Sequence, residues 1–273
     1  MEHNYYSYTK EELLDNPRIP MIVMEDNPTV FRALAEEMVA EIKRKNERNE
    51  TTVFICPVGP VGQYPFFVDM VNKENISLKK VWFINMDEYL TDDREWLPKE
   101  HPLSFRDFMD RNVYAKIRPE LVMPPEQRIF PDPKNTEYIG EIIERLGGVD
   151  ICFGGIGING HVAFNEADSS KSCEEFLALP TRVLTISPET RAINSVGDLN
   201  GALEDMPNYC VTIGMYEISQ ARKIRLGCFR DWHRAVVRRA AHGEKSADFP
   251  VSLLQNHPDI SLRCTEFVAN LPE

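Results

Sequence analysis

Short apolar runs alternate with amphipathic stretches along almost the whole chain. Apolar runs of strand length predict strands at 19–24, 51–56, 80–85, 149–152, 181–186, 209–213, 223–229 and 260–264. Between them, apolar residues at helical spacing predict helices at about 28–45, 66–72, 97–117, 135–146, 188 onward, 215–220 and 232–242. This alternation is typical of an α/β fold, in which helices cover both faces of a mostly parallel sheet.

The chain carries no Gly/Ser/Pro-rich linker, low-complexity segment or internal repeat. We therefore predict a single domain over residues 28–273, preceded by a polar N-terminal extension over residues 1–27. The start of this extension is rich in tyrosine. Such a segment is suited to packing on the surface of the domain or against a partner, for example a second copy in a homo-oligomer.

Composition and charge narrow the functional classes. Of the residues, 42% are hydrophobic and 27% are charged, as in ordinary globular proteins. The 43 acidic and 31 basic residues give a net charge of −12, which disfavours binding to nucleic acid. The N-terminus has no apolar signal core and no stretch is long enough for a membrane span, so we expect a cytoplasmic protein.

The spacing of cysteines and histidines argues against a metal site. The six cysteines form no CxxC pair, and all except Cys173 lie in or beside predicted strands. This pattern favours buried thiols in a reducing compartment over disulfides or a zinc site. The histidines show neither HxH nor HExxH spacing. We expect no metal and no organic cofactor.

A glycine-rich turn, FGGIGINGHVAFNE at 153–166, follows the predicted strand at 149–152. Such turns present backbone N–H groups to anions, which makes Gly157 and Gly160 candidate ligand-binding residues. The turn also carries two titratable residues, His161 and Glu166. The alternative is a tight turn with a structural histidine, and glycine content alone does not separate the two interpretations.

Two other predicted strands end in candidate residues. PVGPVGQYP at 57–65 follows one strand, and backbone N–H groups such as that of Gly59 are suited to an anion there, although the prolines have none to donate. Asp87 and Glu88 end another strand, where two partly desolvated acids repel each other; this raises a pKa and suits a general base. The alternative is that Asp87 caps a turn and Glu88 forms a salt bridge.

Two basic residues lie near predicted helix starts. Arg191 lies in the first turns of the helix that Ser187 and Pro188 begin, where the helix dipole gives a cation no advantage. It therefore pairs either with an acid or with a ligand anion. His233 lies near the start of a helix for which Asp231 is the candidate N-cap; it is either an anion contact or an ordinary surface histidine.

Several segments resemble, in order, those of glucosamine-6-phosphate deaminases: INMDEYL, LPKEHPLSF, FGGIGINGHVAFNEA, ETRAINS, YCVTIGM and LLQNHP. The resemblance covers about residue 28 to the C-terminus. It implies a three-layer α/β/α Rossmann-like sandwich and a small-molecule sugar phosphate as ligand. It further implies an enzyme that opens the sugar ring, moves a proton between C2 and C1, and releases ammonia to leave fructose 6-phosphate.

The resemblance also implies roles for particular residues. The proton-transferring base of the family falls on Asp87, and the ring-opening histidine falls on His161. The glutamate that orients this histidine falls on Glu166, and the phosphate-contacting arginine falls on Arg191. These types suit the chemistry, since a histidine passes protons near neutral pH and a carboxylate partner fixes its tautomer.

Three departures from the family pattern bear on this interpretation. Asn159 stands where the family usually has an aspartate before Gly-His, and a neutral amide does not stabilise an imidazolium as a carboxylate does. The loop at 58–62 lacks the two hydroxyl residues of the family's phosphate loop, and His233 stands where the family has a phosphate-contacting lysine. These changes weaken the case for a 6-phosphate more than the case for isomerisation.

The sequence thus supports two main hypotheses. The first is an amino-sugar-phosphate isomerase and deaminase that uses Asp87, Asn159, His161 and Glu166 in catalysis. In this hypothesis Gly59, Glu88, Gly157, Gly160, Arg191 and His233 bind the substrate, which is glucosamine 6-phosphate or a related amino sugar. The second is a catalytically impaired paralogue or sensor that binds a sugar phosphate. A phosphogluconolactonase is a third possibility, from which the NMDEY and AFNE segments point away.

Overall fold

Strands and helices alternate through residues 4–271, the part of the chain that the computed structural model describes. In this range the strands are β1 (Met21–Met24), β2 (Thr52–Cys56), β3 (Val81–Asn85), β4 (Asp87–Leu90), β5 (Arg128–Ile129), β6 (Ile151–Gly155), β7 (Arg182–Thr185), β8 (Tyr209–Thr212), β9 (Lys223–Cys228) and β10 (Ile260–Thr265). The α-helices are α1 (Lys10–Leu14), α2 (Asn27–Glu47), α3 (Gln63–Lys73), α4 (Phe105–Asn112), α5 (Tyr138–Arg145), α6 (Cys173–Leu177), α7 (Pro188–Asp198), α8 (Met215–Ser219), α9 (His233–His242) and α10 (Glu266–Ala269).

Seven strands form one parallel sheet in the order β1-β10-β9-β6-β2-β3-β5. Side chains of a strand alternate between the two faces of a sheet. In β2, Val53 and Ile55 therefore pack in one apolar cluster, whereas Phe54 and Cys56 pack in a second cluster on the opposite face. Helices cover both faces, and the predicted α/β sandwich with a mostly parallel sheet is confirmed.

A second, smaller sheet was not predicted. Strands β7 and β8 occur where the sequence predicts them, but they pair antiparallel with each other, and β8 also pairs antiparallel with β4. Met86 alone separates β3 from β4, so the chain passes directly from the parallel sheet into the small one. This arrangement places Asp87 at the junction of the two sheets.

Several helix boundaries differ from the prediction. The helix predicted at 97–117 is wrong at its start, because residues 98–104 form turns that contain two prolines and α4 begins only after Ser104, whose hydroxyl accepts from the Asp107 N–H. The Ser187 cap of α7 is confirmed, since its hydroxyl accepts from the Thr190 N–H. Asp231 is not the N-cap of α9, a position that Trp232 occupies.

The described part of the predicted extension packs on the domain. Strand β1 lies within residues 1–27 and pairs with β10, with Met21 opposite Leu262. The fully buried Arg238 donates to the carbonyl oxygens of Tyr8 and Ala269 at 2.8 and 2.7 Å, and so links this segment to the C-terminal helix. Of the predicted interpretations, packing on the chain's own surface therefore applies to residues 4–20, whereas β1 is the edge strand of the seven-stranded sheet.

Two findings concern the chemistry of the chain as a whole. The five cysteines of predicted strands are free and buried, as expected, and burial raises the pKa values of their thiols.

Among residues 4–271, no helix has the length and apolar character needed to cross a membrane.

Candidate active site

A cavity of about 510 Å³ opens at the carboxyl ends of the neighbouring strands β9, β6, β2 and β3. The segment that follows each strand contributes to it: residues 57–62 after β2, Met86 and Asp87 after β3, residues 156–163 after β6, and residues 229–233 after β9. The start of α4 and part of α7 close the remaining sides. Ligands of open α/β sheets bind at this position.

Asp87 faces the cavity with little exposure to solvent. Its side chain is 7% exposed, and no donor among residues 4–271 hydrogen-bonds to the carboxyl group. Burial, with a smaller contribution from the charge of Glu88, raises the pKa of Asp87 to about 8. A carboxyl group that titrates near neutral pH and has no protein partner is suited to exchange protons with a ligand.

The glycine-rich turn after β6 positions His161. Gly157 donates its N–H to the His161 carbonyl oxygen at 2.8 Å, and Gly160 donates to the Gly157 carbonyl oxygen at 3.0 Å. A Cβ on Gly157 would lie only 1.9 Å from Cε1 of the histidine ring, so glycine leaves the space that the ring occupies. The ring lines the cavity and stacks on Phe164 with 6.2 Å between centroids.

These contacts limit what the two glycines do for a ligand. Gly157 lines the cavity, but its N–H is already bonded to the turn itself. Gly160 is buried behind the turn with φ of +83°, and a Cβ there would meet Phe249 at 2.3 Å. Both glycines therefore shape the turn. This differs from the predicted role, in which their N–H groups bind a ligand.

An amide connects His161 to a carboxylate. The Asn159 side chain donates through Nδ2 to Glu166 Oε2 at 2.7 Å, which leaves its Oδ1 as the acceptor for His161 Nδ1, also at 2.7 Å. The direct distance from His161 Nδ1 to Glu166 Oε2 is 3.6 Å. Asn159 therefore assigns the proton of the neutral ring to Nδ1, and Nε2 is left to exchange protons with a ligand.

Glu166 remains ionised in this arrangement. Burial alone would raise its pKa, but the neighbouring His161, together with hydrogen bonds donated by Asn159 and Thr190, lowers it to about 2. The Thr190 hydroxyl donates to Glu166 Oε2 at 3.1 Å and lies 3.3 Å from His161 Nδ1. The Ser187 N–H donates to the other carboxylate oxygen at 3.3 Å, so the start of α7 fixes the group.

The loop at 57–62 forms one wall of the cavity and has no hydroxyl side chain. Val58 and Val61 stand where hydroxyl residues were expected for a phosphate loop. Within residues 4–271, the N–H groups of Val58, Gly59, Val61 and Gly62 have no hydrogen-bond acceptor. Since the loop leads into the 11-residue helix α3, these N–H groups are the available anion donors of this segment.

Glu88 does not line the cavity, in contrast to its predicted role in substrate binding. It is fully buried and accepts 3.0 Å bonds from the N–H groups of Tyr89, Phe105 and Arg106, and its carboxylate also pairs with Arg106 Nε at 3.1 Å. The predicted alternative of a salt bridge is therefore confirmed. Glu88 holds the start of α4 against β4 because it satisfies N–H groups that the helix itself leaves free.

Arg191 is also turned away from the cavity. Its Nη2 donates to the Met206 carbonyl oxygen at 2.9 Å and to the Leu203 carbonyl oxygen at 3.3 Å. The guanidinium thus fastens the short helical segment Leu203–Asp205 to α7. This arrangement does not support the predicted phosphate contact, since Nη2 serves backbone carbonyl groups and the residue does not line the cavity, although Nε is buried without a partner among residues 4–271.

His233 lines the cavity but has no free ring nitrogen. Its Nδ1 accepts from the N–H groups of Phe229 and Arg230 at 2.8 Å each, and its Nε2 therefore donates to the Ile156 carbonyl oxygen at 3.0 Å. Burial lowers its pKa to about 3, so the ring is neutral. The predicted phosphate contact by His233 is wrong for this geometry; the residue ties the turn after β9 to the glycine-rich turn.

Comparison with known proteins identifies the family. No protein-family model matches the chain. A glucosamine-6-phosphate deaminase from Cronobacter sakazakii is 31% identical over 238 residues, which cover 82% of this chain and 83% of that protein. The chain belongs to the glucosamine-6-phosphate deaminase family. A deaminase from Caenorhabditis elegans is 29% identical, with 92% of this chain and 89% of that protein covered.

Solved structures show the same fold. A monomeric glucosamine-6-phosphate deaminase of the NagB superfamily superimposes with a TM-score of 0.80 at 24% identity, covering 92% of this chain and 99% of that chain. A 6-phosphogluconolactonase from Trypanosoma brucei gives a TM-score of 0.65 at 15% identity, covering 93% and 98%. The predicted resemblance to glucosamine-6-phosphate deaminases is thus confirmed. The similarity to the lactonase is limited to the fold.

Two residues of this deaminase-family site were not singled out in the sequence. Thr190 completes the contacts to Glu166. The sequence did contain a signal for it, because it lies in the ETRAINS segment next to Arg191. Arg230 also lines the cavity, at the turn between β9 and α9. No spacing rule pointed to it, since it precedes the helix on which the phosphate contact was expected.

Proposed function

We propose that this protein converts glucosamine 6-phosphate to fructose 6-phosphate and ammonia. The observation that carries the proposal is the placement of Asp87 and His161 on one cavity, the first with a pKa of about 8 and the second oriented through Nδ1. The family membership of the chain supports glucosamine 6-phosphate as the substrate; the same chemistry on a related amino sugar remains within the proposal.

In the first step His161 opens the sugar ring. Its Nε2 takes the proton of the C1 hydroxyl as the C1–O5 bond breaks, and then delivers a proton to O5. The contact of Nδ1 with Asn159 Oδ1 at 2.7 Å keeps Nε2 available, and Glu166 stabilises the transient imidazolium through the amide. This arrangement supports an active enzyme over the impaired paralogue, because the neutral Asn159 still connects the ring to a carboxylate.

In the second step the carboxylate of Asp87 removes the proton from C2 while O1 of the open-chain aldehyde gains a proton, which gives an enolamine. Asp87 then returns its proton to C1 as the amino group loses one proton. The product is an imine at C2, which water hydrolyses to the ketone and ammonia. The absence of a hydrogen-bond donor to Asp87 within residues 4–271 favours this role, since no protein partner competes for its oxygen atoms. The apolar walls of the cavity, which include Phe105, Phe108 and Phe164, limit access of water to the reacting carbons.

The loop at 57–62 contributes to binding of the 6-phosphate through backbone N–H groups. Gly59 and Gly62 line the cavity, and the N–H groups of this segment lack acceptors within the described residues. Backbone donors at a helix start are sufficient to bind an anion, so the loss of hydroxyl side chains lowers the number of contacts without removing the site.

The proposal extends to location and assembly. Five buried, unpaired thiols are suited to a reducing compartment, which supports a cytoplasmic protein. A net charge of −12 supports small-molecule rather than nucleic-acid partners. A homo-oligomer stays a prediction, which gel filtration with light scattering tests.

An NMR time course with glucosamine 6-phosphate tests the proposed reaction. We expect fructose 6-phosphate and ammonia in equal amounts from the wild-type protein, and no product from Asp87→Asn. Asp69→Asn is a matched control, because it removes an exposed carboxylate that pairs with Lys73 far from the cavity. The proposal fails if the wild-type protein at high concentration forms no product from either glucosamine 6-phosphate or related amino-sugar phosphates.

A further inference from the structure

The cavity has an uneven charge distribution. Among its described lining residues, Arg230 is the sole lysine or arginine, whereas Asp87 and Asp198 contribute carboxyl groups. His233 is neutral, with both ring nitrogens bonded to backbone groups. A doubly charged phosphate entering this cavity therefore meets one permanent positive charge, and that charge belongs to Arg230.

The guanidinium of Arg230 is uncommitted. Within residues 4–271 it donates no hydrogen bond to another residue and lies in no ion pair, although the residue's own N–H is fixed by His233 Nδ1 at 2.8 Å. Arg191 and Arg106 differ from it in this respect, since the first donates to carbonyl oxygens and the second pairs with Glu88. Arg230 thus has an anchored backbone and free donors.

Its position is between the phosphate loop and α7. Phe229, the preceding residue, packs edge-on against Phe31 at 4.7 Å between ring centroids, and Phe31 lies against Gly62 of the loop. On the other side, a Cβ on Gly197 would lie 3.1 Å from Nη1 of Arg230, so the guanidinium passes close to the end of α7. A phosphate bound on the loop N–H groups is within the same cavity as these donors.

We propose that Arg230 is the side chain that binds the 6-phosphate of the substrate, together with the N–H groups of the loop at 57–62. This inference rests on the proposed function for the identity of the substrate. A planar guanidinium offers two parallel donors to phosphate oxygens, which suits a site whose loop supplies no hydroxyl group. It assigns to Arg230 a contact that Arg191 does not make, because it does not line the cavity, and that His233 does not make, because both its ring nitrogens are bonded to backbone groups.

Asp198 modulates this contact. Partial burial raises the pKa of its carboxyl group, and the positive charge of Arg230 works against that rise. The two side chains form no ion pair, so the guanidinium remains available to an anion. Arrival of a phosphate beside Asp198 is therefore opposed by one carboxylate and favoured by Arg230, and removal of the arginine leaves the loop N–H groups to bind the phosphate against that repulsion.

The test compares Arg230→Gln and Arg230→Lys with the wild-type protein. Inorganic phosphate is titrated by calorimetry, and KM and kcat are measured with glucosamine 6-phosphate. Arg234→Gln is the matched control, because it makes the same change four residues later, where the side chain stacks on Phe267 outside the cavity. We expect Arg230→Gln to weaken phosphate binding and to raise KM about tenfold or more, with kcat within about threefold.

The phosphate titration tests this inference independently of the proposed reaction. The phosphate-binding role of Arg230 is supported if Arg230→Gln binds phosphate more weakly, Arg230→Lys keeps part of the affinity and Arg234→Gln keeps all of it. This holds even if no substrate turns over. Unchanged phosphate binding and KM in Arg230→Gln overturn it even if turnover is robust. A wild-type protein that binds no phosphate also overturns it.

Discussion

Asn159 donates a 2.7 Å hydrogen bond to Glu166 from the same side-chain amide that accepts from the catalytic histidine candidate. The amide therefore has a defined orientation, with its nitrogen towards the carboxylate and its oxygen towards the ring. From the sequence, this asparagine counts against catalysis because it is neutral. In the structure the negative charge lies one residue further along the network, on Glu166.

Asn159→Ala is expected to lower kcat about 100-fold with little change in thermal stability. The substitution removes the acceptor of the His161 Nδ1 proton, so the ring is free to adopt the wrong tautomer, and general acid–base catalysis contributes factors of about 10² to 10⁴. Asn208→Ala is the control, since it removes an exposed hydrogen bond to Asp92. A kcat within threefold of the wild type in Asn159→Ala would contradict the orienting role.

Asp87 is expected to titrate near pH 8 in the free protein. Burial raises its pKa to about 8, and it acts as a base only when ionised, so kcat/KM should fall about tenfold per pH unit below that value. The direct measurement is the ¹³C chemical shift of labelled aspartate side chains, with Asp87→Asn to assign the signal. A midpoint below pH 5 would show that the carboxyl group is not desolvated.

Asp87→Asn is expected to stabilise the fold while it removes activity. The folded-state pKa of about 8 lies above the ordinary value of 3.8, so the folded protein holds a proton that the unfolded chain releases between these values. The free energy of unfolding of the wild type should therefore decrease as pH rises from about 4 to 8, and this decrease should be smaller in the variant.

Urea unfolding at pH 5 and pH 9 measures this difference. We expect Asp87→Asn to gain about 1 kcal/mol or more relative to the wild type at pH 9, and much less at pH 5. Equal differences at the two pH values would mean that the effect is not ionisation of Asp87.

The sequence predicted where the site lies better than which side chains reach it. Apolar runs define β2, β3 and β6, and the rule that ligands bind at strand ends brings Asp87 and the glycine-rich turn together. The small antiparallel sheet escaped prediction because the predicted strand ended at residue 85, and Asp87–Leu90, which begins with two acids, has no apolar run of strand length. The direction of the Glu88 and Arg191 side chains depends on backbone partners 12 to 18 residues away, which residue type does not reveal.

Glu88→Gln is expected to act on stability rather than on substrate binding. Its carboxylate is fully buried and accepts from three backbone N–H groups and from Arg106, so the substitution leaves a guanidinium without its charged partner. Removal of one partner of a buried pair costs about 3–5 kcal/mol. Chemical denaturation measures this loss, and a raised KM with unchanged stability would instead restore the substrate-binding role.

Gly157→Ala is expected to reduce kcat about 100-fold or more in a folded protein. The added Cβ would lie 1.9 Å from Cε1 of His161, so the ring must leave the position in which Asn159 orients it. Because the ring faces the cavity, it has room to move, and the cost appears in catalysis more than in stability. Gly140→Ala is the matched control: this residue lies within α5, a Cβ there meets nothing within 4 Å, and helix propensity predicts a small gain in stability. Steady-state kinetics and thermal unfolding of both variants check the prediction. Equal kcat values in Gly157→Ala and Gly140→Ala would mean that the ring position set by the glycine-rich turn is not required for turnover.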